Sequence, residues 1–328
     1  MKYRKLGKTE WSISEISLGT WQVGGGWGKT FDDKLANRII HTAIDKGINF
    51  MDTADVYDGG LSEAAVGKAV RESPERIFVA TKCGRQIQPH INAGYTPKIL
   101  RAFVEGSLQN TGLDGIDLIQ LHCPPTPVYM RDEIFELFEK LKEEGKIHAM
   151  GVSVETVDEA LAAMKYEIVS SIQIIFNMFR LKPSETLFSQ SEIDKFGIIA
   201  RVPLASGLLT GKLTEESVFS KDDHREFNRH GEAFDKGETF SGVDYQKGLQ
   251  AVEELKELFQ GDEFLATWAI RWVLMFPQVS TVIPGASKVE QVINNVEASQ
   301  LPEISISQME AVRHIYSKYF KADIHHLW

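Results

Sequence analysis

Residues 50–63 read Phe50-Met-Asp-Thr-Ala-Asp-Val-Tyr-Asp-Gly-Gly-Leu-Ser-Glu63, and the other motifs of the chain are arranged around this stretch. An apolar strand ends in it at Asp52, a polar loop then carries Tyr57, and a helix follows. Loops at the ends of buried strands often present reactive groups, because the scaffold holds them in place. The next two predicted strands also end on ionisable residues, Lys82 and His122. We therefore expect these four side chains to meet at one end of a parallel sheet.

The unit of a strand followed by a helix recurs along the chain without a convincing linker. The predicted strands are 13–18, 48–52, 77–82, 117–122, 148–153, 171–176, 198–202 and 280–283. The predicted helices are 32–46, 62–72, 97–111, 131–144, 156–165, 185–196, helices within 244–276, and 288–298. Near-continuous apolar strands indicate a parallel sheet covered by helices. Eight such units favour an α/β fold of the closed (β/α)8 type, a TIM barrel, over an open doubly wound sheet.

Three parts of the chain extend this pattern. Residues 3–18 are predicted to form an N-terminal β-hairpin that includes the first barrel strand. Residues 213–243 form a long charged loop after the seventh strand, and a loop of this length is usually a lid or disordered. Residues 304–328 form a C-terminal tail with an amphipathic helix, which we expect to fold over the barrel mouth. We therefore expect residues 1–328 to form one barrel domain.

Composition limits the class of protein. The formal charge of −10 argues against nucleic acid or an anionic membrane as the main partner. No apolar run is long enough to span a bilayer and no signal peptide is evident, so we expect a cytoplasmic protein. Cys83 and Cys123 are expected to be small buried residues whose side chains point away from the site. No metal site is predicted, because neither these cysteines nor the His325-His326 pair has ligand spacing.

The four ionisable residues suggest proton transfer to a carbonyl group. A phenol with a pKa of about 10 is a poor acid at neutral pH. The ammonium of Lys82, held in place by Asp52, is expected to lower the pKa of Tyr57. Tyr57 could then donate a proton to a carbonyl oxygen while His122 orients it. Since none of the four supplies a hydride, a bound cofactor would have to.

These motifs resemble the signatures of the aldo-keto reductase superfamily, in order and over essentially the whole chain. The matching segments are Asp52-Thr-Ala-Asp-Val-Tyr57 with Ser62-Glu63, Lys82 after its strand, Gln120-Leu-His-Cys-Pro-Pro125 and Ile283-Pro-Gly-Ala-Ser287. The resemblance implies a barrel that binds NADP(H) without a Rossmann domain and reduces aldehydes and ketones. It implies that Tyr57 is the general acid, that Lys82 and Asp52 tune it, and that His122 orients the substrate. The Ile283–Ser287 and Pro203–Lys212 segments resemble a bacterial branch related to potassium-channel β-subunits.

The same resemblance implies a set of cofactor contacts. Near the catalytic end these are Gly19, Thr20, Trp21, Asp52, Ser153, Gln173 and Arg201, with Ser153 and Gln173 at the nicotinamide carboxamide. The loop across the pyrophosphate provides Pro203, Leu204, Ser206, Gly207, Leu208 and Lys212. The adenosine end provides Gly285, Ser287, Lys288, Gln291, Asn294 and Asn295, where a helix N-terminus can receive a phosphate. Lys212 and Lys288 favour NADP(H), with NAD(H) as the alternative.

Three positions depart from the family pattern. Val154 stands where an Asn amide would bind nicotinamide, and Gln291 stands where many relatives have Arg. Arg201 stands where many members place an aromatic ring against nicotinamide. A guanidinium plane can also stack on a ring, but its charge would oppose the oxidised, cationic form of the cofactor. Cofactor preference and reaction direction are therefore left open by the sequence.

The substrate wall is predicted to contain Trp21, Trp27, Tyr57, His122 and Tyr129. The expected partner is a small carbonyl compound or the matching alcohol, with sugars and polyols among the candidates. One alternative is a cofactor-binding regulatory subunit with little turnover, like the channel β-subunits, and the presence of His122 argues against it. Another is a Schiff-base aldolase that uses Lys82, which the upstream Asp52 and Tyr57 make less favourable.

Overall fold

An antiparallel hairpin and a closed barrel of eight parallel strands form the computed structural model, which describes residues 1–25, 28–261 and 264–328. The hairpin consists of β1 (Tyr3–Lys5) and β2 (Ser12–Ser14). The barrel strands are β3 (Leu18–Gly19), β4 (Phe50–Asp52), β5 (Phe78–Cys83), β6 (Ile116–His122), β7 (Ile147–Ser153), β8 (Val169–Ile175), β9 (Gly197–Arg201) and β10 (Val279–Val282). Isolated parallel bridges, Ile16 to Val282 and Gly19 to Gly285, join the first strand to the last. The predicted hairpin and (β/α)8 barrel are therefore confirmed.

Helices cover the outside of the barrel. In the described ranges the α-helices are α1 (Asp33–Asp45), α2 (Leu61–Glu72), α3 (Pro97–Thr111), α4 (Asp132–Glu143), α5 (Val157–Ala163), α6 (His224–Phe227), α7 (Tyr245–Leu258), α8 (Leu265–Leu274), α9 (Val289–Glu297), α10 (Ile306–Tyr319) and α11 (Lys321–Ile324). Helix α10 packs against α7, so the predicted C-terminal helical tail is confirmed. None of the helices in these ranges has the length and apolar character needed to cross a bilayer.

The interior of the barrel changes from apolar to polar along the strands. Its apolar layer consists of Leu6, Ile13, Phe50, Ala80, Leu118, Ala149, Ile199 and Ile283. Side chains alternate along a strand, so the residue two positions after each inward-facing one also faces inward. In β4, β5 and β6 these next residues are Asp52, Lys82 and Gln120. The strand period therefore places a polar layer directly on the apolar one.

The strand predicted over 13–18 is divided between two sheets. Ser14 pairs with Tyr3 in the hairpin, whereas Leu18 pairs with Met51 in the barrel. An apolar run shows that a strand is buried and not which strand it pairs with. The change of partner within this run could not be predicted from it.

The helix predicted over 185–196 is wrong. The chain forms a π-helical turn at Pro183–Leu187 and a 3-10 turn at Ile193–Lys195. The side-chain hydroxyl groups of Ser184, Thr186 and Ser189 donate to backbone carbonyls three or four residues earlier in the chain. Such local bonds compete with a regular helix.

The long segment 213–243, which was predicted to be either a lid or disordered, has a defined structure. Asn228 is the centre of the segment. Its Oδ1 accepts the N–H groups of Ala233 and Phe234, and its Nδ2 lies 3.2 Å from Thr239 Oγ1. One buried amide thus fixes the path of a turn that contains little regular structure.

The C-terminal residue Trp328 is buried against this segment. Its indole N–H donates to Asp235 Oδ1 at 3.1 Å, and the Arg180 guanidinium lies 4.1 Å from the ring centroid. Gly242 lies beneath the ring, where an added Cβ would be 2.2 Å from an indole carbon. The tail therefore ends at the same end of the barrel as the loops after β8 and β9.

Gly67 is the point at which α2 touches the end of α3. A Cβ built there would lie 2.0 Å from the carbonyl oxygen of Thr111. We expect Gly67→Ala to lower the free energy of unfolding in urea by about 1–3 kcal/mol, because the two helices must separate. Gly106→Ala in α3 is the control, since its Cβ would meet nothing within 4 Å. That change should stabilise by up to about 1 kcal/mol, and equal stabilisation by both changes would contradict the close contact.

Asp55, in the loop after β4, has a buried carboxyl group, and no hydrogen bond of good geometry reaches either oxygen from the described residues. Burial raises its pKa from 3.8 to about 7, and the charge of Glu63 acts in the same direction. Between these two pH values the folded chain holds a proton that the unfolded chain releases. Stability falls with rising pH wherever the folded state binds more protons. Asp55 therefore destabilises the fold progressively as the pH rises towards 7.

Replacing this carboxyl group by an amide should remove the pH-dependent penalty. We expect Asp55→Asn to raise the free energy of unfolding by roughly 1–3 kcal/mol at about pH 8 and to have little effect at about pH 4. Urea unfolding at both pH values measures the difference. Asp114→Asn, at an exposed carboxyl group, is the control. An equal gain at both pH values would show that ionisation of Asp55 is not the cause.

Candidate active site

A buried ion pair lies at the centre of the barrel mouth. Lys82 Nζ donates to Asp52 Oδ1 at 2.5 Å, and these side chains are 1% and 3% exposed. Lys82 also donates to the carbonyl oxygen of Thr53 at 2.8 Å. Burial has the largest single effect and lowers the pKa of Lys82, but the charges of Asp52 and Tyr57 and the hydrogen bonds to them together outweigh it, so the net pKa is raised. Lys82 is therefore a cation at neutral pH.

Two side-chain amides hold the second oxygen of Asp52. Gln173 Nε2 donates to Oδ2 at 2.7 Å, and Gln120 Nε2 donates to the same atom at 3.2 Å. Gln173 Nε2 is also 3.2 Å from Gln120 Oε1. Gln120 was not predicted as a site residue. The available signal was its polar amide in an apolar strand, two residues before His122 and therefore on the same inward face.

Tyr57 reaches the ion pair from the loop after β4. The chain turns sharply beyond it because three successive residues, starting at Asp58, have left-handed backbone angles. Lys82 Nζ donates to the Tyr57 hydroxyl at 3.4 Å. The ring meets that of His122 edge to face, with centroids 6.1 Å apart. The four side chains predicted to be catalytic thus lie together at one end of the barrel.

The net pKa of Tyr57 is raised above its ordinary value of 10.0. Burial has the largest effect and raises the pKa, while the Lys82 ammonium lowers it by less and the charge of Asp52 raises it again. Lys82 does lower the pKa of Tyr57, as predicted, but burial outweighs this effect and the net pKa is raised. Tyr57 is therefore a neutral phenol at neutral pH, which is the form that can donate a proton.

His122 is a neutral imidazole. Burial, followed by the positive charges of Lys82, Arg85 and Arg201, holds its pKa well below 6.5. Its Nδ1 is buried, and no hydrogen-bond partner for it is found among the described residues. A neutral ring can donate or accept one hydrogen bond at each nitrogen according to its tautomer. His122 can therefore orient a polar group without bringing a second cation to the site.

Arg201 is held by two carboxylates. Its Nη2 is 2.9 Å from Glu155 Oε2, and its Nη1 is 2.5 Å from Glu238 Oε1. Nη2 also donates to the carbonyl oxygen of Val154 at 3.0 Å. Burial has the largest effect on the pKa of Glu155 and raises it, whereas for Glu238 the same effect of burial is outweighed, chiefly by the charge of Arg201, and the net pKa is lowered. Glu238 is therefore the more readily ionised of the two carboxyl groups. The charge of Arg201, which the sequence predicts to oppose the oxidised cofactor, is thus paired with carboxylates in the structure.

Cys123 lies in this cluster, contrary to the expectation that it points away from the site. Its Sγ is 3.4 Å from Ser153 Oγ and 3.6 Å from Arg201 Nη2. A left-handed backbone at Cys123 (φ 46°) ends the strand alternation on which that expectation rested. Cys123, Glu155 and Glu238 have possible metal-ligand atoms within 4.8 Å of one another. The guanidinium of Arg201 contacts all three and supplies the positive charge between them. Cys83 is buried, as predicted.

Tyr129 does not line the mouth, so its predicted place in the substrate wall is wrong. The ring is fully buried in the main core, and its hydroxyl donates to the carbonyl oxygen of Ser153 at 2.9 Å. A 3-10 helix at Thr126–Met130 turns the side chain inward, which an aromatic residue in a loop sequence does not reveal. Trp27, also predicted for the substrate wall, lies outside the described residues.

The seam between the first and last strands brings two predicted cofactor segments together. Gly19 and Gly285 form a parallel bridge, and Thr20 is buried beside them. A Cβ at Gly285 would lie 3.2 Å from Trp21 Nε1, so the absence of a side chain there makes room for the indole. The Trp21 ring meets His224 of α6 edge to face, with centroids 5.2 Å apart. His224 was not predicted as a site residue.

The loop predicted to cross the pyrophosphate is tied to segment 213–243. Ser206 Oγ donates to the carbonyl oxygen of Glu238 and accepts the N–H of Phe240, each at 3.0 Å. Pro203 and Leu208 are buried, whereas Leu204 and Gly207 are half-buried. Lys212 is exposed, with its Nζ 5.3 Å from the Phe264 ring centroid.

The predicted adenosine end lies at the start of α9. Gln291 Oε1 accepts the backbone N–H of Ser287 at 2.7 Å. Lys288 and Gln291 are exposed, Asn294 is half-buried, and Asn295 is buried. The first-strand segment and the adenosine end adjoin at the seam, while Gln173, Ser153 and Arg201 follow around the mouth. The residues present could therefore hold an extended dinucleotide.

Comparisons with known proteins agree with this geometry. The Aldo/keto reductase family model matches residues 15–317. Aldo-keto reductase YhdN of Bacillus subtilis is 33% identical over 298 residues, covering 88% of this chain and 86% of that protein. The NADH-specific methylglyoxal reductase of Escherichia coli is 30% identical over 321 residues, covering 91% of this chain and 93% of that protein.

Solved structures and further relatives extend the agreement. The glycerol dehydrogenase AKR11B4 from Gluconobacter oxydans superposes with a TM-score of 0.78 at 29% identity, covering 97% of this chain and 96% of that one. A probable voltage-gated potassium channel subunit beta of Arabidopsis thaliana is 29% identical over 318 residues, covering 91% of each. The predicted relation to channel β-subunits is therefore confirmed. The family match, the closed barrel and the four clustered side chains lead to one conclusion: the chain belongs to the aldo/keto reductase family of oxidoreductases.

Proposed function

We propose that the chain is an NADP(H)-dependent oxidoreductase that reduces a small aldehyde or ketone, or oxidises the matching alcohol, with Tyr57 as general acid or base. The observation that carries this proposal is the Tyr57 hydroxyl, 3.4 Å from a lysine that is itself ion-paired to Asp52. A proton donor and a stabilising cation therefore lie together at the mouth of the barrel. This arrangement suits a reaction in which negative charge develops on an oxygen atom.

The Tyr57 phenol supplies the proton in the reductive direction. Because its pKa is raised, the hydroxyl is protonated before the reaction. When the proton moves to a carbonyl oxygen, the phenolate that remains is stabilised by the Lys82 ammonium. In the oxidative direction the same oxygen takes up the proton of an alcohol. Lys82 is thus proposed to act mainly by stabilising the phenolate form of Tyr57.

The remaining groups position the reacting atoms. Asp52 keeps Lys82 charged and fixed, and His122 orients the carbonyl oxygen by a hydrogen bond from its neutral ring. The hydride transferred in the reaction is the chemistry that bound nicotinamide supplies. Ser153 and Gln173 are proposed to hold its carboxamide, because both follow His122 around the mouth in adjacent strands.

The cofactor is proposed to be NADP(H), on the basis of Lys212 and Lys288. Both side chains are exposed at the ends of the two segments expected to follow the cofactor phosphates. Each can offer a cation to an additional phosphate group. NAD(H) is the alternative, and the similarity to the NADH-specific methylglyoxal reductase of Escherichia coli keeps it open.

The substrate is proposed to be a small carbonyl compound or polyol. The relatives named for methylglyoxal and for glycerol support this class. A second candidate function, a cofactor-binding regulatory subunit with little turnover, is supported by the similarity to a potassium channel β-subunit. If the chain is such a regulatory subunit, it should bind cofactor tightly and turn over none of the carbonyl compounds or polyols tested.

Removal of one hydroxyl group tests the proposed role of Tyr57. We expect Tyr57→Phe to lower kcat by about 10²–10⁴-fold, because the proton donor is lost, while cofactor affinity changes little. Nicotinamide absorbance with NADPH and with NADH, over a panel of aldehydes, ketoses and polyols, measures turnover. Calorimetry measures cofactor binding. Tyr3→Phe, at an exposed hydroxyl in the hairpin, is the control. Undiminished turnover in Tyr57→Phe would refute the proposal.

Glu238 is proposed to keep the cofactor site close to electrical neutrality. In Glu238→Gln the Arg201 guanidinium would retain only Glu155 as a counter-ion, so the site gains positive charge. We expect the ratio of the Kd of oxidised cofactor to that of reduced cofactor to rise about 3–10-fold, since only the oxidised nicotinamide is cationic. Calorimetry with both forms measures it.

The control for this change is Glu226→Gln, at an exposed carboxylate in α6 of the same segment. It removes the same charge without touching Arg201 and should leave the ratio unchanged. A similar change in both variants would mean that long-range charge, and not the ion pair with Arg201, sets the preference.

A further inference from the structure

We propose that Gln120 is a positioning residue that fixes the orientation of the Gln173 amide. In this orientation Gln173 presents its side-chain oxygen, a hydrogen-bond acceptor, to the carboxamide NH2 of the nicotinamide ring. This inference rests on the proposed function, from which it takes the nicotinamide cofactor as the ligand. It concerns a residue outside the four clustered side chains and outside the predicted cofactor contacts.

The position of Gln120 follows from the strand period and the barrel register. On β6 it lies between inward-facing Leu118 and His122, and it pairs in register with Lys82 of β5. The side chain is completely buried. An amide in this position must find partners inside the barrel, because an unsatisfied buried polar group costs about 1–3 kcal/mol.

The partners form a closed triangle. Gln120 Nε2 donates to Asp52 Oδ2 at 3.2 Å, Gln173 Nε2 donates to the same oxygen at 2.7 Å, and Gln173 Nε2 also donates to Gln120 Oε1 at 3.2 Å. Each of the three residues is at most 2% exposed. Every contact in the triangle lies within hydrogen-bond distance.

The chemistry of the groups determines which way each amide faces. An ionised carboxylate only accepts hydrogen bonds, so both amide nitrogens must face Asp52. With its nitrogen towards Asp52, Gln120 directs its oxygen to Gln173. The NH2 group of Gln173 then uses one hydrogen on Asp52 and the other on Gln120. Among the described residues nothing donates to Gln173 Oε1, so this acceptor is the atom that remains for a ligand.

Without Gln120 the second hydrogen of Gln173 has no acceptor in the triangle. The Gln173 amide could then rotate about its hydrogen bond to Asp52 and direct either its oxygen or its NH2 group towards the ligand. The loss would affect recognition of the carboxamide NH2 specifically, and not merely the volume of the barrel interior. A residue that only filled space could be replaced by an apolar one of similar size without this effect.

A cofactor analogue with acetyl in place of the carboxamide measures this directly. The 3-acetylpyridine analogue of the oxidised cofactor keeps the carbonyl group and lacks the NH2 donor. In the native chain we expect its Kd to exceed that of the carboxamide form by about 10-fold, as for one lost hydrogen bond. In Gln120→Met the ratio should fall to about 1–3. Leu118→Met, in the apolar layer of the same strand, is the control and should keep the native ratio.

A second variant covers the case in which Gln120→Met does not fold. In Gln120→Glu the neutral acid can donate to Asp52 and accept from Gln173, whereas the ionised form loses its bond to Asp52, is repelled by that carboxylate and is no longer held where it can accept from Gln173. The ratio should therefore stay native at low pH and fall as the pH rises. A ratio that stays native in Gln120→Met, or in Gln120→Glu at every pH, would overturn the proposal.

The Tyr57→Phe variant separates this inference from the proposed function. If Tyr57→Phe loses turnover and the Gln120 variants keep the native ratio, the reductase stands and the role of Gln120 falls. If Tyr57→Phe keeps turnover while the ratio collapses in Gln120→Met, the general-acid role falls and the positioning role stands. The binding ratio does not depend on catalysis, so one failure cannot be mistaken for the other.

Discussion

Removing the charges of Asp52 and Lys82 from water costs several kcal/mol for each ion, and their surroundings must offset that cost. The contact of 2.5 Å between them provides one part. The carbonyl oxygen of Thr53 and the amides of Gln120 and Gln173 provide the rest. The polar layer of the barrel is therefore built outward from this pair. Its register matters because each of these partners comes from a different strand or loop.

A second charge cluster lies nearer to solvent and follows the same rule with different partners. Arg201 is compensated by Glu155 from the loop after β7 and by Glu238 from segment 213–243. Arg201, which is predicted to lie against the nicotinamide ring, thus has one of its counter-ions, Glu238, on a separate segment of the chain. Segment 213–243 thereby contributes to the electrostatics of the cleft as well as covering part of it. Because Ser206 donates to the carbonyl oxygen of Glu238, the same residue connects the loop predicted to cross the pyrophosphate to the cluster.

The sequence predicts the strand ends well because each one combines an apolar run with a single ionisable residue. Asp52, Lys82 and His122 were found in this way, and the barrel brought them together with Tyr57. The features that sequence reasoning missed depend on packing and hydrogen bonds, distant or local, that a pattern of apolar residues does not show. Gln120 matters through Gln173, the pKa of Tyr57 through burial, and Tyr129 through a 3-10 turn. The wrong helix over 185–196 has the same origin, since hydroxyl bonds to the local backbone replaced a periodicity that looked helical.

The packing of Trp328 on Gly242 makes two distant parts of the chain a single unit for protein engineering. Gly242 has a left-handed backbone (φ 76°), and any side chain there would enter the space of the indole. Exchange of segment 213–243 with that of a relative would therefore succeed only if position 242 and the C-terminal residue were transferred together. A side chain introduced at position 242 should likewise require a compensating change at position 328.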